Sequence, residues 1–184
     1  MHVLLKQSVW LLVCGLLSSP TIAGQMSAKL NLQLELESSC NINNQTIDDG
    51  TNGLNFGQLN FGDVSASFNH VLETSLSNGS TSGLTIQCPE NLPIKITFGA
   101  GLHDNHVPAP FSTNYFHAVS NGIDFLAYNI LYGSSFEILR PNQSVTLNNN
   151  GQLHTLNLTG RTVNNGRSIS LGQYTDTIPI TIEF

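Results

Sequence analysis

Two imidazoles and a carboxylate fall within four residues at His103-Asp104-Asn105-His106, the stretch of this sequence best supplied with metal-ligating groups. Zinc sites combine such ligands, but a second pair at a recognisable spacing is missing, and glycines and prolines surround the stretch. It reads as a polar surface loop. His70, His117 and His154 lie on or near expected strands and read as ordinary surface or half-buried residues. For nucleophilic chemistry, Gly79-Ser80-Thr81-Ser82-Gly83 puts threonine where G-x-S-x-G needs serine, and reads as a hairpin turn. Asp48-Asp49 stands beside Gly50, again as a turn, and no phosphate-cradling glycine loop is present. No catalytic residue, metal or cofactor is therefore expected. Four formal N-glycosylation acceptors, at Asn44, Asn78, Asn142 and Asn157, are what chance supplies in so asparagine-rich a chain.

The cysteines carry covalent chemistry of another kind. Residues 1–23 read as a secretory signal peptide: a short basic start ending at Lys6, the apolar run from Val9 to Leu17, then small residues with Thr21 and Ala23 before the cut. The run is too short to span a bilayer, and Leu11-Leu12-Val13 lacks the small residues that precede a lipidated Cys14. No later segment reaches spanning length, so no direct membrane insertion is expected. Removing the leader leaves Cys40 and Cys88, an even count that reads as one disulfide in an exported chain. Lys29, Lys95, Arg140, Arg161 and Arg167 then face twelve acidic residues. Such a surface argues against nucleic acid, which needs clustered Lys and Arg. Only 10% of the residues are charged, with polar uncharged types abundant between apolar ones.

The elements that would position these groups follow a period of two. From the start of the mature chain Met26, Ala28, Leu30, Leu32, Leu34 and Leu36 share one face, and Ser27, Lys29, Asn31, Gln33, Glu35 and Glu37 the other. Extended, this segment spans roughly 40 Å, about twice an ordinary strand. Further strands are expected over 54–62, with its internal echo LNFG-Q-LNFG, over 71–76 and 84–88 as a hairpin across the turn 78–83, and over 93–98, 123–132, 153–163 and 174–184. In the last, Ile178, Ile180, Ile182 and Phe184 face one way. Many short strands predict an all-β immunoglobulin-like sandwich in one domain over 38–184. The final strand runs to the last residue, whereas residues 24–37 hold a longer strand than the sheet needs. A sandwich with an edge strand missing exposes apolar groove and unpaired backbone, and the spare segment could fill that groove in a neighbour by strand addition.

The chain resembles a known family in the alternating strand ending at Cys40, in Phe56-Gly57 and Phe61-Gly62, and in the strand ending at Cys88. The likeness continues through Ala127-Tyr128-Asn129-Ile130-Leu131-Tyr132, Gly160-Arg161 and the ending Gly172-Gln173-Tyr174-Thr175-Asp176-Thr177-Ile178-Pro179-Ile180-Thr181-Ile182-Glu183-Phe184. It is similar to the spore coat protein U domain of pilins in archaic (Csu-type) chaperone–usher pili, above all their major shaft subunit. The resemblance implies an incomplete immunoglobulin-like fold lacking its last strand and completed by donor-strand complementation. It implies a structural, non-enzymatic subunit, exported through the periplasm to a cell-surface pilus that serves adhesion and biofilm formation. Its partners would be other pilin subunits, a periplasmic chaperone that lends a strand, and an outer-membrane usher. The donor would be Met26, Ala28, Leu30, Leu32, Leu34 and Leu36. Ile178, Ile180, Ile182 and Phe184 would line the acceptor groove and meet the chaperone, with the carboxylate of Phe184 as an anchor. Cys40 and Cys88 match the family's paired cysteines. Two other readings stand beside it: a monomeric secreted or tip-located adhesin whose N-terminal strand folds onto its own sheet, and a small secreted enzyme using the His103–His106 loop.

Overall fold

The computed structural model describes residues 25–35, 39–78 and 81–184. The expected leader with Cys14, the donor position Leu36, and Gly79-Ser80 of the expected turn lie outside these residues.

Short strands with alternating burial build the domain. The first hairpin pairs β1 (Ser39–Ile42) with β2 (Gln45–Asp48). Its two-residue loop, Asn43-Asn44, takes positive φ at both positions (49° and 63°), the turn handedness that matches strand twist and that asparagine tolerates. After β3 (Val71–Ser75), two-residue strands β4 (Ser77–Asn78) and β5 (Thr81–Ser82) pair with each other, and β6 (Leu84–Gln87) follows. The expected 71–76 with 84–88 hairpin is not formed. β3 pairs with β13 (Leu158–Val163), and β6 lies between β1 and β12 (His154–Leu156). The small β4–β5 hairpin is a corner that passes the chain from one sheet to another. Gly83 stands at its end at φ +83°, where a Cβ would come within 2.9 Å of the Leu156 carbonyl.

β7 (Ile94–Phe98) alternates fully, with Ile94, Ile96 and Phe98 at most 1% exposed and Lys95 in water. β8 (His117–Ser120) and β10 (Glu137–Leu139) share one edge of β9 (Phe125–Tyr132), and β13 takes the other. A strand buried on both faces can be apolar almost throughout, and Ala127 to Leu131 are buried without a break, Asn129 being the polar exception. The expected strand over 153–163 is divided at Asn157, because β12 and β13 belong to different sheets. β11 (Gln143–Leu147) and β14 (Ile180–Glu183) flank β7.

Side chains from all three larger sheets meet in one core. Cys40, Ile42, Leu84, Ile86 and Leu156 come from the first, Ile94, Ile96 and Phe98 from the β7 sheet, and Tyr128, Ile130, Leu139 and Leu158 from the β9 sheet. The fold is the expected all-β sandwich of immunoglobulin-like type. Cys40 and Cys88 are joined across β1 and the end of β6.

The segment before β1 forms a separate unit. Residues 25–35 carry no helix or strand, and every one of them is exposed. Leu30, Leu32 and Leu34 keep 81–88% of their surface in water.

Candidate functional site: an open groove beside the C-terminal strand

The C-terminal segment changes partners along its length. Thr175 exchanges backbone hydrogen bonds with Ser120 of β8, the Pro179 carbonyl accepts from Gly99 N–H at 2.8 Å, and β14 then pairs with β7. Pro179 loses nothing by lacking an N–H there. Side chains alternate throughout: Tyr174, Asp176, Ile178, Ile180, Ile182 and Phe184 are half-buried, while Gln173, Thr175, Thr177, Pro179, Thr181 and Glu183 are exposed. β14 is the edge of its sheet.

Residues 54–62 form the opposite wall, and the LNFG echo has a structural cause. Asn55 Oδ1 accepts from Gly57 N–H at 3.0 Å, and Asn60 Oδ1 accepts from Gly62 N–H at 2.9 Å. The same asparagine-capped turn therefore occurs twice, with glycine at the positive φ each requires (121° and 73°). These turns replace the regular strand expected here, and only Gln58 pairs as in a sheet, with Ser77. Leu54, Phe56, Leu59 and Phe61 lean on the core half-buried. Gly160 on β13 makes room for them, since a Cβ there would lie 2.9 Å from Phe61 and 3.2 Å from Leu59.

Between the walls runs a cleft of about 1250 Å³ whose floor is the core itself, through Leu76, Phe98, Tyr128, Ile130 and Leu158. Ile178 and Ile180 line this cleft, and Ile182 and Phe184 pack on the same core beyond its lining. The 54–62 wall went unassigned from sequence, although its alternation of Leu and Phe with Asn was the available signal.

Polar groups anchor the wall. Tyr128 donates its hydroxyl to Asp176 Oδ2 at 2.7 Å, and Leu102 N–H donates to Asp176 Oδ1 at 2.8 Å. Burial, followed by the carboxylate of Asp176 and then that of Asp104, pushes the Tyr128 phenol far above its ordinary value. Tyr174 donates to the Ser170 carbonyl at 2.9 Å. Ser170 gives its hydroxyl (2.7 Å) and N–H (2.8 Å) to Asp124, whose carboxyl these bonds hold below its usual range.

The side chains of the His103–His106 loop face Phe125 and His117. His106 stacks on Phe125 at 4.6 Å between centroids, and His103 meets the same ring edge-on. Asp104 faces His117 at 2.9 Å. Among the described residues, no group of three metal-ligating side chains comes together. His117 is fully buried rather than superficial, whereas His70 is exposed and His154 half-buried. A lone histidine on a short strand gives no warning of such burial.

No curated protein matches this chain. Among solved structures, it is similar to a chain from the crystal structure of the CsuC–CsuE chaperone–tip adhesion subunit pre-assembly complex from archaic chaperone–usher Csu pili of Acinetobacter baumannii. Identity is 21% with a TM-score of 0.43, and the alignment covers 80% of this chain but 40% of that one. The model of the Spore Coat Protein U domain family matches residues 26–181, nearly the whole of the sequence, and the chain belongs to that family.

Proposed function

We propose that this protein is a structural subunit of an archaic chaperone–usher pilus, polymerising by N-terminal donor-strand exchange. The observation that carries this reading is a cleft opening onto the core beside the edge strand β14, in a chain that also holds an exposed alternating apolar segment. The cleft needs an extended, apolar, alternating occupant, and residues 26–36 have that character. Met26, Ala28, Leu30, Leu32, Leu34 and Leu36 of one copy enter the cleft of the next, against Ile178 and Ile180, with Ile182 and Phe184 continuing the same face. Each leucine stabilises the complex by about 1.5–3 kcal/mol on burial, and the free edge of β14 gains a backbone partner. The polar face, including Lys29 and Glu35, stays in water.

The rest of the assembly follows from the same reading. Residues 1–23 direct export, a periplasmic chaperone covers the cleft before assembly, and an outer-membrane usher is where the strands exchange. The product is a surface fibre, a homopolymeric shaft serving adhesion and biofilm formation. Gel electrophoresis in SDS of the exported protein, unheated and boiled, with and without residues 24–36, tests this. A ladder that collapses on boiling and vanishes with the deletion is expected. Folded monomer in every unheated lane overturns the proposal in favour of a self-complemented adhesin.

A further inference from the structure

The C-terminal wall of the groove is held from behind by a buried chain of polar groups, which strand exchange as such does not require. Asp176 takes the Tyr128 hydroxyl on one oxygen and the Leu102 N–H on the other. One residue back, Gly101 donates its N–H to Asp104 Oδ2 at 2.7 Å. Gly101 is also where this loop touches the wall: a Cβ there would lie 2.7 Å from Asp104 Oδ1 and 2.9 Å from Ile178 Cδ1. Asp104 Oδ1 faces His117 Nδ1 at 2.9 Å, and His117 Nε2 lies 3.2 Å from the Leu139 carbonyl. His117 is 0% exposed, and its ring lies 5.2 Å from that of Tyr128. Each packed element contributes a named group: Asp104 from the 3-10 turn Asp104–His106, Tyr128 from β9, the Leu139 carbonyl from β10, and Asp176 from the wall.

A carbonyl oxygen only accepts, so Nε2 must carry hydrogen. Asp104 Oδ2 is taken by the Gly101 N–H and Oδ1 by the ring, so His117 bridges Asp104 to β10 through both of its nitrogens. Removing one partner of such a bridge leaves the other unpaired in the interior. The two halves of the chain meet at Gly101-Leu102 and at the rings of His117 and Tyr128, which contact each other at a tilt.

We propose that His117, bound to Asp104, and Tyr128, bound to Asp176, are positioning residues that hold wall segment 174–180 at the spacing an incoming strand needs. The proposal rests on the strand-exchange reading of the groove, and the strand it serves is the N-terminal segment of a second copy. Ile178 and Ile180 can form one side of an apolar slot only if the backbone carrying them is fixed before the strand arrives. Apolar contact fixes it only in part, because these side chains pack on the core but stay half-buried until the slot is filled. Tyr128, from the floor of the cleft, and Asp104, from the loop beside Gly101, supply the polar anchors.

The test uses the full chain and two readouts. The first is the rate at which SDS-resistant multimers appear, for wild type, Tyr128→Phe, His117→Gln and Ile42→Val. Ile42 is a core residue of β1 that does not line the cleft, and its variant controls for general destabilisation. Loss of a hydrogen bond to a charged group should slow assembly at least about tenfold in the two polar variants, with Ile42→Val near the wild-type rate. The second readout is hydrogen exchange of the Gly101 and Leu102 amides in the monomer, which donate to Asp104 and Asp176 and should exchange faster in both polar variants than in wild type or Ile42→Val. Wild-type assembly matched by Tyr128→Phe and His117→Gln overturns the positioning role and leaves strand exchange standing. Absence of any wild-type ladder overturns both. Wild-type exchange at both amides in the two polar variants overturns the polar chain as the wall's support. If His117→Gln does not fold, Tyr128→Phe, which keeps the ring and loses only the hydroxyl, decides the rate.

Discussion

Truncating one donor leucine separates assembly from folding more sharply than any change within the sandwich. Leu32 is 88% exposed, so Leu32→Ala removes almost nothing from the folded monomer. Surface changes of this kind stay within about 0.5 kcal/mol, and the melting temperature should not move by more than a degree or two. Under the strand-exchange proposal the same side chain is buried in the cleft of a neighbour in the fibre. Leu→Ala deletes three carbons, each worth about 0.8 kcal/mol on burial, so each subunit junction loses about 2.4 kcal/mol. At 1.4 kcal/mol per factor of ten, this weakens the junction roughly fiftyfold. Interface changes act mainly on dissociation, so the multimer ladder should survive at room temperature and collapse at a clearly lower temperature than wild type. The assay is unheated electrophoresis after incubation over a temperature series, alongside calorimetry of the monomer. Ser27→Ala, on the opposite face, is the control and should change neither. An unchanged ladder would refute the reasoning. So would a monomer melting several degrees lower, which would place Leu32 inside its own domain.

Gly160→Val should push Phe61 and Leu59 out of their seats against β13 and cost about 1–3 kcal/mol as an overpacked core, read as a lower urea midpoint together with slower multimer formation. Opening the Cys40–Cys88 bridge, which spans 48 residues, should cost about 4 kcal/mol by chain entropy, measured as the difference in urea unfolding with and without reductant. Tyr128 has a folded value raised above its unfolded one of about 10, so its contribution is complete below that pH and is lost above it. Thermal unfolding against pH should show a steeper alkaline fall in wild type than in Tyr128→Phe. Asp124 works in the opposite sense. Held below its usual range by Ser170, it contributes at pH above about 4 and is lost as acid is added, so Asp124→Asn should flatten the acid limb of the same curve.

Local patterns gave the strands away where burial alternates along a single segment. Ile94, Ile96 and Phe98 on β7 and the alternating faces from Tyr174 to Phe184 read correctly, although only Ile180–Glu183 of the latter is regular strand, because a period of two records which side meets the core. Pairing was less legible. Strands 71–75 and 84–87 look like a hairpin because they are close in sequence with turn residues between them, yet their partners are β13, β1 and β12. Ladder partners are chosen by packing across the whole domain, and a short window holds no trace of that. The 54–62 stretch misled in a subtler way. Its alternation is real, but paired Asn-to-Gly turns produce the same facing pattern as a strand without its ladder. The buried polar chain was invisible for a simpler reason. Asp104, His117, Tyr128 and Asp176 come from four elements, and only the finished fold brings them together.

β7 and β14 differ in burial although their patterns match, and the difference follows from their places in the sheet. On β7, flanked by β11 and β14, the inward residues are sealed to 1% exposure or less. On β14, with one neighbour, inward residues of equal hydrophobicity remain half-buried. An open edge of this kind invites pairing, and proteins that must stay monomeric blunt it with charge, proline or a covering loop. Here the one charge on β14, Glu183, is engaged at 2.7 Å by Lys95 of β7, away from the free edge. Pro179 precedes the strand, and its carbonyl serves the Gly99 side. Neither blunts the edge. Gly160 and the two asparagine turns meanwhile hold the opposite wall in a fixed conformation, so the cleft cannot be closed by a small collapse of side chains. A sandwich built to remain alone would be expected to shield this edge. One built to receive a strand needs it as it stands, rigid on both sides and apolar along its floor.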